Sequence, residues 1–314
     1  MAAPAVILLG PQRSQPTVGE VVAELGLRGP LGLVTAGWQE REPEDEELRR
    51  AIGCEAVNLE VYARCERVLA AEPDLAAAIR ARQRALRELQ ELYRLRLNGA
   101  MGSARALLAR GGRTELLEPE QESAVETVRQ LDRHHLGRVA QLHRETERAQ
   151  EGSRPSTLVR ARSEVAQLVH DMEAVLIAGG HVAVLRNRLD LLCLGPELRH
   201  KPVIAWSAGA MVVCERIVLF HDNPPQGPGH AELLDRGLGL AREVLPLPHA
   251  GARLSLGDPL RVALFARRFE DLTPVLLEPC CRLDWQPPHW RPAKGTQVLR
   301  SDGTVAGWPA QEAR

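Results

Sequence analysis

The sequence lacks several features that would point directly to a class of function. Lysine and arginine number 40 and aspartate and glutamate 41, so a net charge of −1 leaves no overall positive field to attract nucleic acid or anionic membranes. No apolar run approaches the ~20 residues that cross a membrane. The first ten residues lack the charged start and long apolar stretch of a signal peptide. We therefore expect a cytoplasmic protein that binds neither nucleic acid nor membrane.

The cysteines and histidines form no pattern typical of a disulfide framework or a metal site. Six cysteines in 314 residues are too sparse for a small disulfide scaffold and lack the paired C-x-x-C spacing of a zinc site. His221 and His230 lack the i, i+4 helical spacing of a zinc motif, and Ala178-Gly179-Gly180 falls short of a dinucleotide or phosphate fingerprint. We expect reduced thiols that lie mostly in the core, no metal and no cofactor.

Short apolar runs that alternate with helical stretches indicate an α/β fold at both ends of the chain. Residues 5–9 and 31–36 have the composition of buried strands, with a helix at 18–25 between them. The pattern resumes with strands at 174–178 and 202–206 and a helix at 182–192. Strands that alternate with helices imply a mostly parallel sheet flanked by helices. Further strands are predicted at 217–220, 244–247 and 275–277, with a hairpin at 297–300 and 304–305.

The middle of the chain has a different pattern. From Asp74 onward, apolar residues recur at helical spacing between charged residues, and Pro119 stands where a helix tolerates a proline in its first turn. A short alternating stretch at 56–61 predicts one strand before these helices. We therefore expect an α/β domain formed by residues 1–43 and 152–314 and a mainly α-helical insertion at 44–151. The insertion could serve as a lid, a homodimer interface or a docking module.

Ser207 lies between a predicted strand and a predicted helix, with small residues packed around it. This is the sequence form of a nucleophile elbow, because a tight turn lifts the hydroxyl above the sheet and small neighbours let strand and helix approach. The helix that follows would place backbone N–H groups beside a developing oxyanion. An ordinary strand-to-helix turn, in which Ser207 only caps the helix, is the alternative. The segment is Val203-Ile204-Ala205-Trp206-Ser207-Ala208-Gly209-Ala210.

This segment resembles the Gly-x-Ser-Ala-Gly-Ala elbow of the peptidase E and cyanophycinase group, within the class I glutamine amidotransferase-like superfamily. Residues 174–185 are similar to the strand, glycine pair and helix that precede the elbow in that group. Residues 237–249, Gly-Leu-Gly-Leu through Pro-His, resemble the segment that carries its catalytic histidine. Residues 275–278 stand where the group places a strand ending in an acidic residue. The resemblance covers roughly residues 5–38 and 170–310 and implies a class I amidotransferase-like α/β fold.

The resemblance also implies roles for individual residues. Ser207 would be the nucleophile, His249 its general base and Glu278 the residue that orients the imidazole. The backbone N–H groups of Gly180 and Ala208 would form the oxyanion hole. The order Ser, His, acid fits the amidotransferase-like superfamily and differs from the Ser, acid, His order of α/β-hydrolases.

Two departures from the family pattern leave the acidic residue open. Ala205 replaces the first glycine of the usual elbow, and Glu278 is followed by Pro-Cys-Cys where small polar residues are expected. Asp258 and Asp284 are competing candidates, although isolated carboxylates are more often solvated surface groups. The alternative to a catalytic role for His249 is a purely structural one, as a histidine in a proline-bounded loop.

The sequence leads to two hypotheses of function. The first is a serine hydrolase, a peptidase or related amide hydrolase, that forms an acyl-enzyme on a small peptide or amide substrate. The second is a catalytically degenerate amidotransferase-like scaffold that binds a ligand or partner. Glutamine amidotransfer is disfavoured because those relatives place cysteine at the elbow. Side-chain specificity cannot be inferred from the sequence.

Overall fold

The secondary structure is taken from a computed structural model, which describes residues 5–151, 155–225, 227 and 229–308. The strands are β1 (Val6–Leu9), β2 (Leu31–Val34), β3 (Ala56–Asn58), β4 (Ala174–Ile177), β5 (Val203–Trp206), β6 (Arg216–Leu219), β7 (Glu232–Arg236), β8 (Val244–Pro248), β9 (Thr273–Leu277), β10 (Arg282–Gln286), β11 (His289–Pro292), β12 (Gln297–Leu299) and β13 (Val305–Gly307). The helices are α1 (Val18–Glu24), α2 (Glu46–Ile52), α3 (Val61–Ala71), α4 (Pro73–Leu108), α5 (Thr114–Glu151), α6 (Ser156–Asp171), α7 (Val182–Leu191), α8 (Leu194–Leu198), α9 (Ala208–Val213), α10 (Ala250–Arg253) and α11 (Pro259–Arg268), with 3-10 turns over Ala36–Arg41.

The main sheet has the strand order β11-β10-β1-β5-β4-β2-β3. The five strands from β1 to β3 in this order are parallel to one another, and β10 and β11 add an antiparallel edge beside β1. β1, β2, β4 and β5 are buried along their whole length, as expected where helices cover both faces of a parallel sheet. The prediction of a mostly parallel sheet flanked by helices with a long helical insertion is confirmed. This arrangement is consistent with the amidotransferase-like fold that the resemblance implies.

A second sheet carries the downstream part of the chain. Its order is β13-β12-β9-β8, with β8 and β9 parallel, and β6 and β7 form a separate antiparallel pair. The pairing of β1 with β10 continues past the end of β1, where the N–H of Gly10 donates to the carbonyl of Cys281 at 2.9 Å. A Cβ on Gly10 would overlap the carbonyl oxygen of Glu278. The turn after β9 therefore lies against the carboxyl end of β1.

The insertion is a long helical hairpin formed by α4 and α5, which pack against each other and against β7 and α11. A buried polar cluster fixes it to the α/β core. Arg268 of α11 is 2% exposed, bonds Asp132 of α5 at 2.7 Å and donates to the hydroxyl of Tyr93 of α4 at 2.7 Å. Breaking such a buried pair costs far more than breaking a surface pair. The apolar stripe of the hairpin is thus covered within the chain, while Leu92 and Leu95 are exposed on its outer side.

The start of the predicted insertion belongs structurally to the sheet. β3 pairs with β2, and α3 packs on α6 and α7. The predicted strand at 56–61 is shorter than expected, because Glu60 adopts a left-handed conformation and Val61 begins α3. The long helices begin at Pro73, and the division into domains at residues 43/44 and 151/152 stays a prediction. In the described ranges, no helix has the length and apolar character needed to span a membrane.

Candidate active site

Ser207 occupies a strained turn between β5 and α9. Its φ and ψ are 52° and −122°, a combination that residues other than glycine rarely adopt. The residue is half-buried, and its carbonyl accepts the N–H of Met211 at 3.2 Å in the first turn of α9. Strained non-glycine residues concentrate at active sites. The geometry at Ser207 is therefore that of a nucleophile elbow.

Two glycines make room for this turn. A Cβ on Gly179 would lie 2.7 Å from the Cβ of Ser207, and a Cβ on Gly209 would overlap the carbonyl oxygen of Ile177. Contacts this short are not found between real Cβ atoms and their neighbours, so each position excludes every larger side chain. The small residues noted in the sequence are thus required by the close approach of α9 to the end of β4.

Gly180 and Ala208 are the residues expected to supply the backbone N–H groups of the oxyanion hole. Gly180, which follows β4, has a φ of 118°, and a Cβ there would overlap the carbonyl of Gly37. That carbonyl accepts the N–H of His181 at 2.7 Å, which fixes the peptide that follows Gly180. Ala208 is the first residue of α9, where a helical N–H has no intrahelical acceptor. Within the described part of the chain, neither Gly180 nor Ala208 donates its N–H to another residue.

His249 follows β8 in a left-handed conformation, with φ 58° and ψ 36°, and precedes α10. Burial lowers the pKa of its imidazole below the ordinary 6.5, the positive charge of Arg253 lowers it further, and Glu278 acts in the opposite direction. A lowered pKa keeps the imidazole neutral, and hence able to accept a proton, at neutral pH. The imidazole of His249 is thus mainly neutral at neutral pH.

Glu278 directly follows β9, and its carboxylate is held by α10. Its Oε1 accepts the N–H of Gly251 at 2.6 Å. Because β8 and β9 are parallel neighbours, with Pro248 opposite Leu277, His249 and Glu278 leave the sheet at the same edge. Glu278 therefore influences His249 through its charge and through the backbone of α10. No hydrogen bond between the carboxylate and the imidazole exists among the described residues.

The two competing carboxylates are engaged elsewhere. Asp258 caps α11 by accepting the N–H of Arg261 at 3.1 Å, and it pairs with Arg105 of α4 at 3.3 Å. Asp284 lies on β10 and pairs with Arg282 at 2.7 Å. Neither contacts His249, so of the three acids only Glu278 acts on the histidine.

The expected site residues thus fall into two groups. Gly180, Ser207 and Ala208 surround the turn after β5, and His249 and Glu278 lie at the ends of β8 and β9. Across the described residues, no hydrogen bond joins the hydroxyl of Ser207 to the imidazole of His249. Their roles stay predictions.

One strained residue near this site was not singled out from the sequence. Gln39 has φ 59° and ψ −127°, almost the angles of Ser207, in the 3-10 turns that follow β2. Nothing in its residue type indicates such a conformation, because glycine is the usual occupant. The sequence around Gln39 therefore carries no local signal of this conformation.

The remaining expectations concern thiols and metals. All six cysteines are free; Cys65 and Cys214 are buried in the core, and Cys54 and Cys281 are partly buried and packed against it. Cys193 and Cys280 are exposed, since each stands in a turn with positive φ rather than inside an element. In the described residues, no group of three or more His, Cys, Asp or Glu side chains is placed to hold a metal ion.

No protein-family model and no curated protein matches this chain. Among solved structures, the chain is similar to a peptidase from an acI-B1 Actinobacterium, with a TM-score of 0.43 and 13% sequence identity. The similarity extends over 96% of each chain.

Proposed function

We propose that the chain is a serine hydrolase, a peptidase or related amide hydrolase, that forms an acyl-enzyme at Ser207. The observation that carries this proposal is the strained backbone of Ser207 at the end of β5. Such a conformation persists only where the surrounding structure fixes it, and Gly179 and Gly209 allow β4 and α9 to do so. A serine that only capped a helix would not need this strain, since an N-cap normally lies in the β region.

The reaction proceeds in two halves. The imidazole of His249 accepts the hydroxyl proton as the Oγ of Ser207 bonds to the carbonyl carbon of the substrate. The N–H groups of Gly180 and Ala208 stabilise the negative oxygen. The carbon–nitrogen bond then breaks, and the imidazolium gives its proton to the leaving amine. Water attacks the ester carbon with His249 again as base, which releases the acid and restores the hydroxyl.

The electrostatics around His249 support this assignment. Burial and the nearby Arg253 both hold the pKa of the imidazole down, so the neutral base predominates at neutral pH. The charge of Glu278 opposes these effects and stabilises the imidazolium that forms during the reaction. Hydrogen bonds between nucleophile and base are often long in free enzymes and shorten in the complex with substrate.

A second candidate function is a catalytically inactive scaffold that binds a ligand or partner. One observation favours it: the carboxylate of Glu278 bonds the N–H of Gly251 and leaves the imidazole of His249 without an orienting acceptor among the described residues. A scaffold predicts that no amide is hydrolysed at a rate that depends on Ser207.

Hydrolysis of short peptidyl p-nitroanilides by the full chain separates the two functions. Ser207→Ala is expected to abolish release of p-nitroaniline, whereas Ser103→Ala, at an exposed position of α4, keeps the wild-type rate. Equal rates for the wild type and Ser207→Ala would overturn the proposal and favour the scaffold.

A further inference from the structure

Gln39 shares the backbone strain of Ser207 and lies at the same edge of the sheet. It follows β2, while Ser207 follows β5, and β4 runs between these strands with Ile177 opposite both Val34 and Ala205. Since the three strands are parallel, their carboxyl ends meet at one edge. Strained residues at such an edge are candidates for binding substrate.

A direct contact joins the loop of Gln39 to the proposed oxyanion hole. Two residues before Gln39, a Cβ on Gly37 would lie 2.6 Å from the carbonyl oxygen of Gly179 and 3.2 Å from the Cα of Gly180. The carbonyl of Gly37 also accepts the N–H of His181. The loop therefore packs directly on the glycine pair beside Ser207.

Hydrogen bonds join the two ends of this loop. The hydroxyl of Thr35, which is fully buried, donates to the carbonyl of Glu42 at 3.1 Å, so the two ends of the strained segment are joined. The side-chain amide of Asn58 donates to the Thr35 hydroxyl at 3.0 Å and to Asp45 at 2.9 Å. Buried, mutually satisfied polar groups of this kind rigidify the segment that they enclose.

Glu42 anchors the same segment to α3. The residue is only 1% exposed, and its carboxylate accepts the N–H groups of Tyr62 and Ala63 at 2.9 and 2.8 Å. Buried hydrogen bonds therefore hold the chain on both sides of Gln39, at Thr35 before it and at Glu42 after it.

The carboxamide of Gln39 takes no part in these hydrogen bonds. The side chain is half-buried, and among the described residues it forms no hydrogen bond. A carboxamide offers two donors and an acceptor, and none of them is used within the described part of the chain. The loop that packs on Gly179 and Gly180 through Gly37 thus carries an unused hydrogen-bonding group two residues further along.

We propose that Gln39 is a substrate-binding residue whose carboxamide hydrogen-bonds a main-chain peptide group of the substrate. This inference rests on the proposed function at Ser207. A group that both donates and accepts is complementary to a peptide N–H and C=O, whereas a carboxylate ligand would be bound by arginine. The site therefore takes a peptide with at least one peptide group besides the bond that is cleaved.

Steady-state kinetics with peptidyl p-nitroanilides of one, two and three residues test this role. For Gln39→Ala, kcat/KM is expected to fall about 10-fold on the two- and three-residue substrates, the loss of about one hydrogen bond, and to change little on the one-residue substrate. The rate at which a small fluorophosphonate labels Ser207 is expected to stay at the wild-type value. Gln39→Gly should show the same kinetics while raising Tm by about 2 °C, because glycine relieves the strain.

Cys193→Gly is the matched control. Cys193 also has a positive φ of 56°, but it stands between α7 and α8, so relief of its strain is expected to leave the kinetics unchanged. Equal loss on all three substrates, a parallel loss of labelling, or kcat/KM within twofold of wild type on every substrate would each overturn the role of Gln39. Failure of the wild type to be labelled at all would instead overturn the proposed function.

Discussion

The turn at Ser207 and the turn at His249 both place a polar side chain with positive φ at the end of a strand, but they are held in different ways. Ser207 is fixed by backbone packed on backbone, through Gly179 and Gly209. His249 stands in ordinary left-handed geometry, with a long 3.4 Å hydrogen bond from its N–H to Leu277. The nucleophile turn is therefore held by steric packing of the backbone, and the histidine turn is held by hydrogen bonds.

The largest expected effect is at the histidine turn. His249→Ala removes the proton acceptor, so we expect kcat to fall about 10⁴-fold on any substrate that the wild type cleaves, as for removal of a triad member. The free energy of unfolding should change little, because the side chain is only half-buried. Kinetics and chemical denaturation measure the two quantities. A variant that retained a tenth of the wild-type kcat would show that His249 is not the base.

The second-largest expected effect is a loss of stability at the turn of Ser207. Gly209→Ala places a methyl group against the carbonyl of Ile177, so we expect the free energy of unfolding to fall by about 3 kcal/mol. Gly99→Ala is the matched control. Gly99 lies in α4, and no atom stands within 4 Å of where its methyl group would be, so alanine there should stabilise by about 1 kcal/mol. If Gly209→Ala were as stable as wild type, the elbow would not be rigidly packed.

Glu278→Gln should have a moderate effect. Glutamine keeps an acceptor for the N–H of Gly251 but removes the charge beside His249, so we expect kcat to fall about 10-fold, or about 1.4 kcal/mol. Kinetics at constant pH measure the loss. A 10⁴-fold loss, typical of removing a triad acid that bonds the imidazole, would show instead that the carboxylate leaves Gly251 during the reaction.

The smallest effect is a shift of the pH profile. Because His249 must be neutral to accept a proton, kcat/KM should fall as pH drops through its pKa, and this limb should lie below the ordinary value of 6.5. Removing the positive charge in Arg253→Gln should move the limb to higher pH. Glu278→Gln should move it to lower pH. Shifts in the same direction would contradict this description of the charges around His249.

Much of the fold and the turn at Ser207 could be predicted from sequence, because both depend on local patterns. Apolar runs of strand length between helices specify the parallel sheet, and a serine flanked by small residues specifies its own turn. The partner of Glu278 could not be predicted, since Gly251 lies 27 residues away in another turn. The docking of the helical hairpin depends likewise on Asp132 and Arg268, 136 residues apart. The strain at Gln39 could not be predicted, because glutamine is not a residue type that favours positive φ.

The central claim is that Ser207 is an activated nucleophile. Its most direct test is to treat the full chain with a fluorophosphonate and to locate the adduct by peptide mass mapping. We expect one adduct, on Ser207, that is lost in Ser207→Ala and strongly reduced in His249→Ala. A folded chain that is not labelled, or an adduct on any other serine, would contradict the claim.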